Sequence, residues 1–536
     1  MLKSLYTRIF TVRNVEWLMV ILLCITALGM PLSRFLMSTG TTGLAVAWVI
    51  SGNWRYKIDN LKENRFLWPI IALFLLHVVW LIGADNPGEA AHDINVKLPL
   101  IIFPLTVGSM ALSRKQIMIV LQVFVVAVVI STLVSLGVYL GIYTPKKPVD
   151  NIRDISIFIS HIRLGLMCLM SVFVIAYSWH QNAASIKGWQ KIIFAAVVLW
   201  LFYFIMLIQA ATSWISAFVT IIVLFILYHK QIKKWKFYGF AVLLVAMITA
   251  VTVSIRSVYN DYHTIKDTNT SLPEYTRQGN AYTHYEDNTD TENGYYVNRY
   301  LCPDELTSEW NKRSAINIDS TDRRCQPIRH TLVRYLTSKG LPKDSVGVWQ
   351  LTQADINGIE AGATNCVFVE KSNVYKRIYE IVWEFDHYLK YNDPNGKSVC
   401  MRIEFFKTGV HILKKHLWFG VGTGDVNDSF AKTYIELNSP LKPEYRFFAH
   451  NQYLTFAIAM GLIGLVLALA CIFAPLFMRR SAHFLLATFF TILFVSMFDE
   501  DSLTRQLGSI MFAMMYALAL LLPEAKTENS PTKSSI

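Results

Sequence analysis

Charge is scarce in this chain: only 16% of its 536 residues are Asp, Glu, Lys or Arg, where a soluble globular protein carries about 25%. A soluble fold of this length would need about two to four domains, each with its own core, and the charge to keep them dissolved is missing. Cysteine is sparse as well, with 7 residues, which excludes a disulfide scaffold. The 53% hydrophobic and 13% aromatic content excludes disorder. The P-loop, the dinucleotide fingerprint, the HExxH zinc motif and the nucleophile elbow do not occur in a usable context. Acidic residues fall short of basic ones, 38 against 50, for a formal net charge of +12. Such an excess points to nucleic acid only if position does not explain it. What the chain has in quantity is apolar sequence, the composition of an integral membrane protein.

A helix needs about 20 apolar residues to cross the hydrocarbon core, and roughly 17 suffice. Such runs occur at 17–33, 66–84, 117–143, 164–180, 192–210, 213–229, 237–255, 452–478, 482–498 and 506–522. Two more are weaker: 36–52, diluted by Ser38, Thr39, Thr41 and Thr42, and 98–112, short and interrupted by Pro104. Counting both predicts twelve spans with both termini on one side. The positive-inside rule supports that count. With a cytoplasmic N-terminus, the inner segments (Lys3, Arg8, Arg13, Arg55 and on to Arg480, Lys526 and Lys533) hold 19 Lys/Arg against 5 acids, a net of +14. The short outer loops hold 7 basic residues and 8 acids, a net of −1. One span more or fewer scrambles this alternation. The first run follows a basic stretch with no small-residue cleavage site after it, so it reads as an anchor.

The domains expected are 1–255 with nine helices, an extracytoplasmic segment at 256–450, three helices within 451–523, and a polar cytoplasmic tail at 524–536. The large segment holds 24 basic and 25 acidic residues. Its first part, Ser257 to Asn298, is tyrosine-rich and reads as an irregular loop. Helix signals then recur: Pro303 in a first turn, Pro327 to Lys339 closed by Gly340, a capping box at Thr352 and Asp355 with an end near Gly362, Ser372 to Lys390, and Ser398 to His416. Cys302, Cys325, Cys366 and Cys400 all fall here, where an oxidising compartment allows three disulfide pairings or free thiols. No His or Asp spacing around them suggests zinc, so no metal and no cofactor are expected.

Gly420-Val-Gly422-Thr-Gly424 follows a helix signal and lacks Lys-Ser/Thr, so it reads as a tight turn rather than a phosphate cradle. His77, within the third span, is a rare polar group in hydrocarbon and reads as a partner across a helix pair. An enzyme acting on a lipid-linked phosphate or pyrophosphate needs guanidinium groups to hold the leaving group and a base near the acceptor hydroxyl. His450, in Arg446-Phe-Phe-Ala-His450-Asn451-Gln-Tyr-Leu, sits at the outer end of the tenth span, where such a base belongs. A polar helix cap or an interfacial anchor is the simpler alternative.

Several runs carry a specific likeness: Arg402-Ile-Glu404-Phe-Phe-Lys-Thr-Gly409, Gly420-Val-Gly-Thr-Gly-Asp425, His450-Asn451-Gln-Tyr453-Leu and Gly461-Leu-Ile-Gly464. Together they resemble the C-terminal signature of the O-antigen ligase and polymerase superfamily, in particular the Bacteroidetes-type O-antigen ligase-like proteins. The stretch Thr331-Leu-Val-Arg334-Tyr-Leu-Thr-Ser-Lys339, the Ser160-His-Ile-Arg163 entry to span six and Asp499-Glu500-Asp501 are similar too. The resemblance implies an all-α polytopic membrane protein of GT-C-like type. It also implies a metal-independent, inverting glycosyltransferase in the bacterial inner membrane. Its donor would be a glycan on undecaprenyl pyrophosphate at the periplasmic face, and its acceptor a sugar hydroxyl. In ligases that hydroxyl is on lipid A–core oligosaccharide; in polymerases it is on a second lipid-linked glycan. Carried onto this chain, Arg402 would contact pyrophosphate and His450 would assist at the acceptor or the phosphate. Arg334, Arg163, Arg446, Asn451 and Glu500 would help bind substrate, and Asp501 or Glu500 would be the base if His450 is not. Many members carry Ser-Arg where this chain reads Ser213-Trp214, so another cation such as Arg163 has to substitute or the pattern does not transfer. The rival from another class is a transporter or lipid flippase. Against it, the spans hold few charges and no repeated halves are evident. The lipid bilayer is a partner on either reading, and nucleic acid is not, because the basic excess lies in the inner segments.

Overall fold

In the computed structural model of the chain, residues 11–145, 149, 152–181, 186–231, 233–268, 271–287, 289–479 and 483–522 are described. Lys3, Arg8, Arg480 and the tail 524–536 of the topology argument lie outside them. The chain divides into two compact units, Met1–Gln231 with Met401–Ile536, and Ile232–Cys400. The segment 401–450, assigned from sequence to the large outer domain, thus clusters with the apolar helices.

The first unit begins with α1 (Val12–Leu32), α2 (Arg34–Ile50), α3 (Trp54–Glu63), α4 (Trp68–Val79), α5 (Pro87–Lys97), α6 (Pro99–Gly108), α7 (Arg114–Tyr139), α8 (His161–Gln181), α9 (Gly188–Leu207) and α10 (Ala211–Tyr228). The second unit comprises α11 (Lys234–His263), a two-residue antiparallel pair β1 (Thr291–Glu292) and β2 (Tyr295–Tyr296), then α12 (Pro303–Arg313), α13 (Ile328–Ser338), α14 (Ser345–Trp349), α15 (Gln353–Glu360), α16 (Val367–Glu370) and α17 (Asn373–Tyr391). The chain returns to the first unit through α18 (Ser398–Lys415), α19 (Val426–Glu436), α20 (Gln452–Met478), α21 (Phe484–Ser496) and α22 (Gln506–Leu521).

Every apolar run read from the sequence is helical, as hydrocarbon requires, because a helix satisfies its own backbone. Among the described residues, eight helices are long and apolar enough to cross a membrane, or nine if the bent pair α2–α3 is one span. In that count α5 and α6 form one 22-residue span. The runs 66–84, 482–498 and 506–522 form shorter apolar helices. The chain is an all-α, polytopic membrane protein. Around a shared core, α1 packs on α2 and α7, α10 on α21 and α8, α22 on α6, and α20 on α4.

In the second unit three of the capping signals read from sequence are used. Thr352 and Asp355 form a reciprocal capping box on α15, Ser372 caps α17, and Gly340 follows α13 at φ +69°. One reading is corrected: residues 257–263 continue α11 as helix and are not loop. Val258 buries against Val367 and Tyr379, and the Tyr262 hydroxyl donates to Asp386 at 2.9 Å, so tertiary contacts extend the helix past its apolar run. Cys302, Cys325, Cys366 and Cys400 are all free thiols.

The tenth span is broken. At Gly461 the backbone turns to φ +67°, ψ −174°, and α20 continues beyond it in a new direction. The glycine-rich segment repairs the break: Val421 and Gly422 N–H groups donate to the Ile458 and Ala459 carbonyls, both at 2.9 Å. In return, the Leu462 N–H donates to the Leu417 carbonyl at 2.8 Å. Trp80 joins the same junction, its indole donating to the Phe419 carbonyl at 2.7 Å and its carbonyl accepting from Thr423 at 2.9 Å. That engagement ends α4 at Val79, short of the run to 84. A Cβ on Gly461 would sit 2.2 Å from the Trp418 carbonyl, and one on Gly420 would sit 2.5 Å from that of Ala459. Gly461→Ala is therefore expected to cost about 3 kcal/mol or more through strain and clash, read as a lower melting temperature in detergent. Gly137→Ala, where a Cβ meets nothing within 4 Å, should be neutral or stabilising by up to about 1 kcal/mol.

Candidate functional site

The start of α20 is tied to the turn between α21 and α22. Asn451 caps α20, its Oδ1 accepting from the Leu454 N–H at 2.9 Å, while its Nδ2 donates to the Phe498 carbonyl at 3.1 Å. Gln452 donates its N–H to the Met497 carbonyl at 2.8 Å and accepts from the Leu503 N–H at 2.7 Å. Asp501 completes the tie: one oxygen accepts the His450 N–H at 2.9 Å and the other the Thr455 hydroxyl at 2.7 Å. Burial pushes the Asp501 carboxyl up, opposed by these hydrogen bonds. Both its oxygens are occupied, so its geometry is that of a brace. The braced residue is unusual, since His450 sits at φ +48°, a region that non-glycine residues rarely adopt.

This conformation turns the His450 ring against Phe405 and Phe447, with centroids 5.5 and 6.3 Å away. Burial, then the charge of Arg402, lowers its pKa to about 4, so the imidazole is neutral at pH 7. It lines a cavity of about 380 Å³ with Arg34, Arg163, Glu500 and Arg505. Arg163 approaches Glu500 at 3.4 Å, and burial raises the Glu500 carboxyl despite that cation. Arg402 pairs with Asp499, which also accepts the Thr212 hydroxyl. The Arg34 and Arg505 guanidinium groups, which also line the cavity, have no hydrogen-bond or ion-pair partner among the described residues. Within the cavity Arg34, Arg163 and Arg505 are set against Glu500, and three guanidinium groups so placed fit a multiply charged oxyanion. Among the described residues, no three His, Cys, Asp or Glu are grouped to hold a metal ion.

The residues singled out from sequence therefore separate. His450, Arg163 and Glu500 share the cavity, and Arg402 and Asp501 meet the same turn. Asn451 is spent on capping. Arg446 donates to the Leu441 carbonyl at 3.0 Å and lies over the Tyr434 ring. Arg334, in the second unit, holds Glu292 through Nε at 2.7 Å and Nη2 at 2.5 Å. Sequence reasoning missed Arg34 and Arg505. The available signal was their placement beside helix ends, in the short turns 33–34 and 499–505 that the alternation assigns to the same side as His450. At Ser213-Trp214 no cation is present; Trp214 stacks on Phe202.

The profile of the O-antigen ligase family matches residues 195–301 and 361–469. This match over two segments supports the O-antigen ligase superfamily. The chain is an O-antigen ligase- or polymerase-type membrane enzyme, glycosyltransferase-like in kind. No curated protein matches the sequence. Arg402, Arg446 and His450 fall within the matched ligase segments, whereas Arg34, Arg163 and the turn 499–505 fall outside them.

If Asp501 is a brace, Asp501→Ala strands the His450 N–H and the Thr455 hydroxyl and lowers stability by about 2–4 kcal/mol. Thr455→Val removes one donor only and should cost about 1 kcal/mol. Thermal unfolding in detergent checks both, and an Asp501→Ala protein that melts with wild type would rule the brace out.

Proposed function

We propose that the protein is an inverting glycosyltransferase that moves a glycan from undecaprenyl pyrophosphate onto lipid A–core oligosaccharide, the ligation step of O-antigen attachment. The observation that carries this reading is the cavity in which a neutral His450 faces Arg34, Arg163 and Arg505. The guanidinium groups hold the pyrophosphate oxygens and neutralise the charge that grows as the leaving group departs. The acceptor hydroxyl oxygen attacks the anomeric carbon from the face opposite the pyrophosphate. The carbon–oxygen bond to phosphate breaks, its electron pair going to the phosphate oxygen, and the hydroxyl proton passes to His450. The new glycosidic bond carries the inverted configuration, and undecaprenyl pyrophosphate leaves. Fixed cations supply the charge neutralisation, so the reading includes no metal.

The charge asymmetry supports an inner-membrane protein with both termini cytoplasmic and residues 256–450 periplasmic. In that orientation all the turns bearing the site open to the periplasm. Transfer to a second lipid-linked glycan, the polymerase reaction, uses the same donor chemistry and is separated by the acceptor alone.

The test is transfer by the reconstituted protein in EDTA, with undecaprenyl-pyrophosphate-linked glycan and either lipid A–core or a second lipid-linked glycan. Product on lipid A–core is expected; product only on the second glycan would make the enzyme a polymerase. His450→Ala should lower kcat about 100-fold or more, and Arg34→Ala, Arg163→Ala and Arg505→Ala should each raise the donor KM about tenfold. Full activity in His450→Ala would remove it as the base.

A base must be neutral to accept a proton, and His450 becomes charged only as pH falls through about 4. The acid limb of kcat/KM is thus expected near pH 4 rather than at the ordinary histidine value of about 6.5. A pH–rate profile in the reconstituted system checks it.

A further inference from the structure

A second cavity adjoins the first through Arg505, which lines both. It measures about 100 Å³, room for roughly seven ordered waters at about 15 Å³ each, close to the hydroxyl-bearing edge of one sugar. One face of α5 forms a wall, since Glu89, Asp93 and Lys97 recur at four-residue spacing with His92 beside them. Asn427 of α19 and Gln452 and Thr455 of α20 supply amide and hydroxyl groups.

The two cavities differ in chemistry. The first sets three guanidinium groups against Glu500. The second sets the carboxylates of Glu89 and Asp93 against Lys97 and Arg505. A phosphate entering the second would meet two carboxylates, whereas a neutral polyol finds acceptors and donors side by side. The wall is also built. Asn427 Nδ2 donates to Glu89 Oε2 at 3.0 Å, fixing that side chain. Lys97 is 3% exposed and has Asp93, 2.8 Å away, as its partner. An ammonium carries three donors, so a buried one with a single partner among the described residues leaves donors from which a sugar's hydroxyl oxygens can accept.

We infer that this cleft is a saccharide subsite, binding the hydroxyl groups of a neutral sugar whose reacting end reaches the arginine-lined cavity. The inference rests on the glycan-transfer reading for the identity of its ligand. Donor and acceptor are both glycans, so the shared chemistry is the sugar itself, and the experiment separates the two sources.

The detergent-solubilised full chain is titrated calorimetrically with two probes, the core oligosaccharide freed of lipid A and the O-glycan released from its lipid carrier. Wild type is expected to bind one of them, and Glu89→Gln and Asp93→Asn to weaken that binding about tenfold, the factor for a lost hydrogen bond to a charged group. Loss toward core oligosaccharide assigns the subsite to the acceptor; loss toward the O-glycan assigns it to the donor. Asp93→Asn disturbs the buried Lys97 pair, so Glu89→Gln, at a half-buried position, carries the test if that variant misfolds. Wild type that binds neither probe, or a Glu89→Gln protein that binds like wild type, overturns the subsite. Binding without transfer activity leaves the subsite standing and removes the transferase reading instead.

Discussion

Backbone groups inside a membrane must find partners, and the break in α20 is where this protein meets that demand in an uncommon way. Each N–H or carbonyl released around Gly461 would cost several kcal/mol if left bare in hydrocarbon. The segment Leu417–Thr423 supplies the missing partners from its own main chain. Backbone meets backbone with no room for a Cβ, which is why glycine stands at both 420 and 461. The first stretch of α20, Gln452 to Met460, is consequently clamped at both ends, by the glycine junction at one and by the Asn451 cap and Asp501 brace at the other. His450 inherits its position from that clamp.

The cavity beside His450 has an electrostatic logic set by the side chains that line it. Like charges converge in it, and among the described residues the Arg34 and Arg505 side chains lack the partners that surface arginines usually find. Convergent cations raise the free energy of the empty state, and a multivalent anion recovers that energy on binding. The same field, with burial, keeps the imidazole uncharged. On the proposed reaction, one arrangement would thus attract the phosphate and leave the neighbouring nitrogen available for a proton. Asp501, the residue that looked most like an alternative base, is buried and already accepts from the His450 N–H and the Thr455 hydroxyl, a setting that favours the brace.

Much of the fold was legible because membrane helices and capped helices are written locally. The Thr352–Asp355 box and the glycine after α13 are patterns a few residues long that formed what they signalled, and the apolar runs formed helices, of which eight or nine among the described residues, against the twelve expected, are long enough to span. Helices α3, α5 and α19 were not seen, since their polar faces carry no long apolar run and their stability comes from what they pack against. The site was legible in part. His450 and Arg163 stood out through motif likeness and position at span ends, and Glu500 through the acidic turn. Arg34 and Arg505 are single residues in short turns, and their approach to Arg163 and His450 across hundreds of positions is a property of the bundle alone. Arg334, prominent as a motif, is committed to Glu292 for a reason no local pattern contains: β1 delivers that carboxylate from more than forty residues upstream.

The contact between Arg163 and Glu500 bears on turnover. At 3.4 Å it is a loose pair, and the raised Glu500 carboxyl shows how little its surroundings favour the charge. A guanidinium held this way can exchange its carboxylate for a phosphate oxygen without being stranded in between. The reverse exchange is equally open, so on the proposed reaction Glu500 would reclaim Arg163 once a glycan has left and loosen the spent carrier. On the proposed reaction the departing carrier is at least as negative as the donor, so such a competitor would keep the enzyme from stalling with its own leaving group bound.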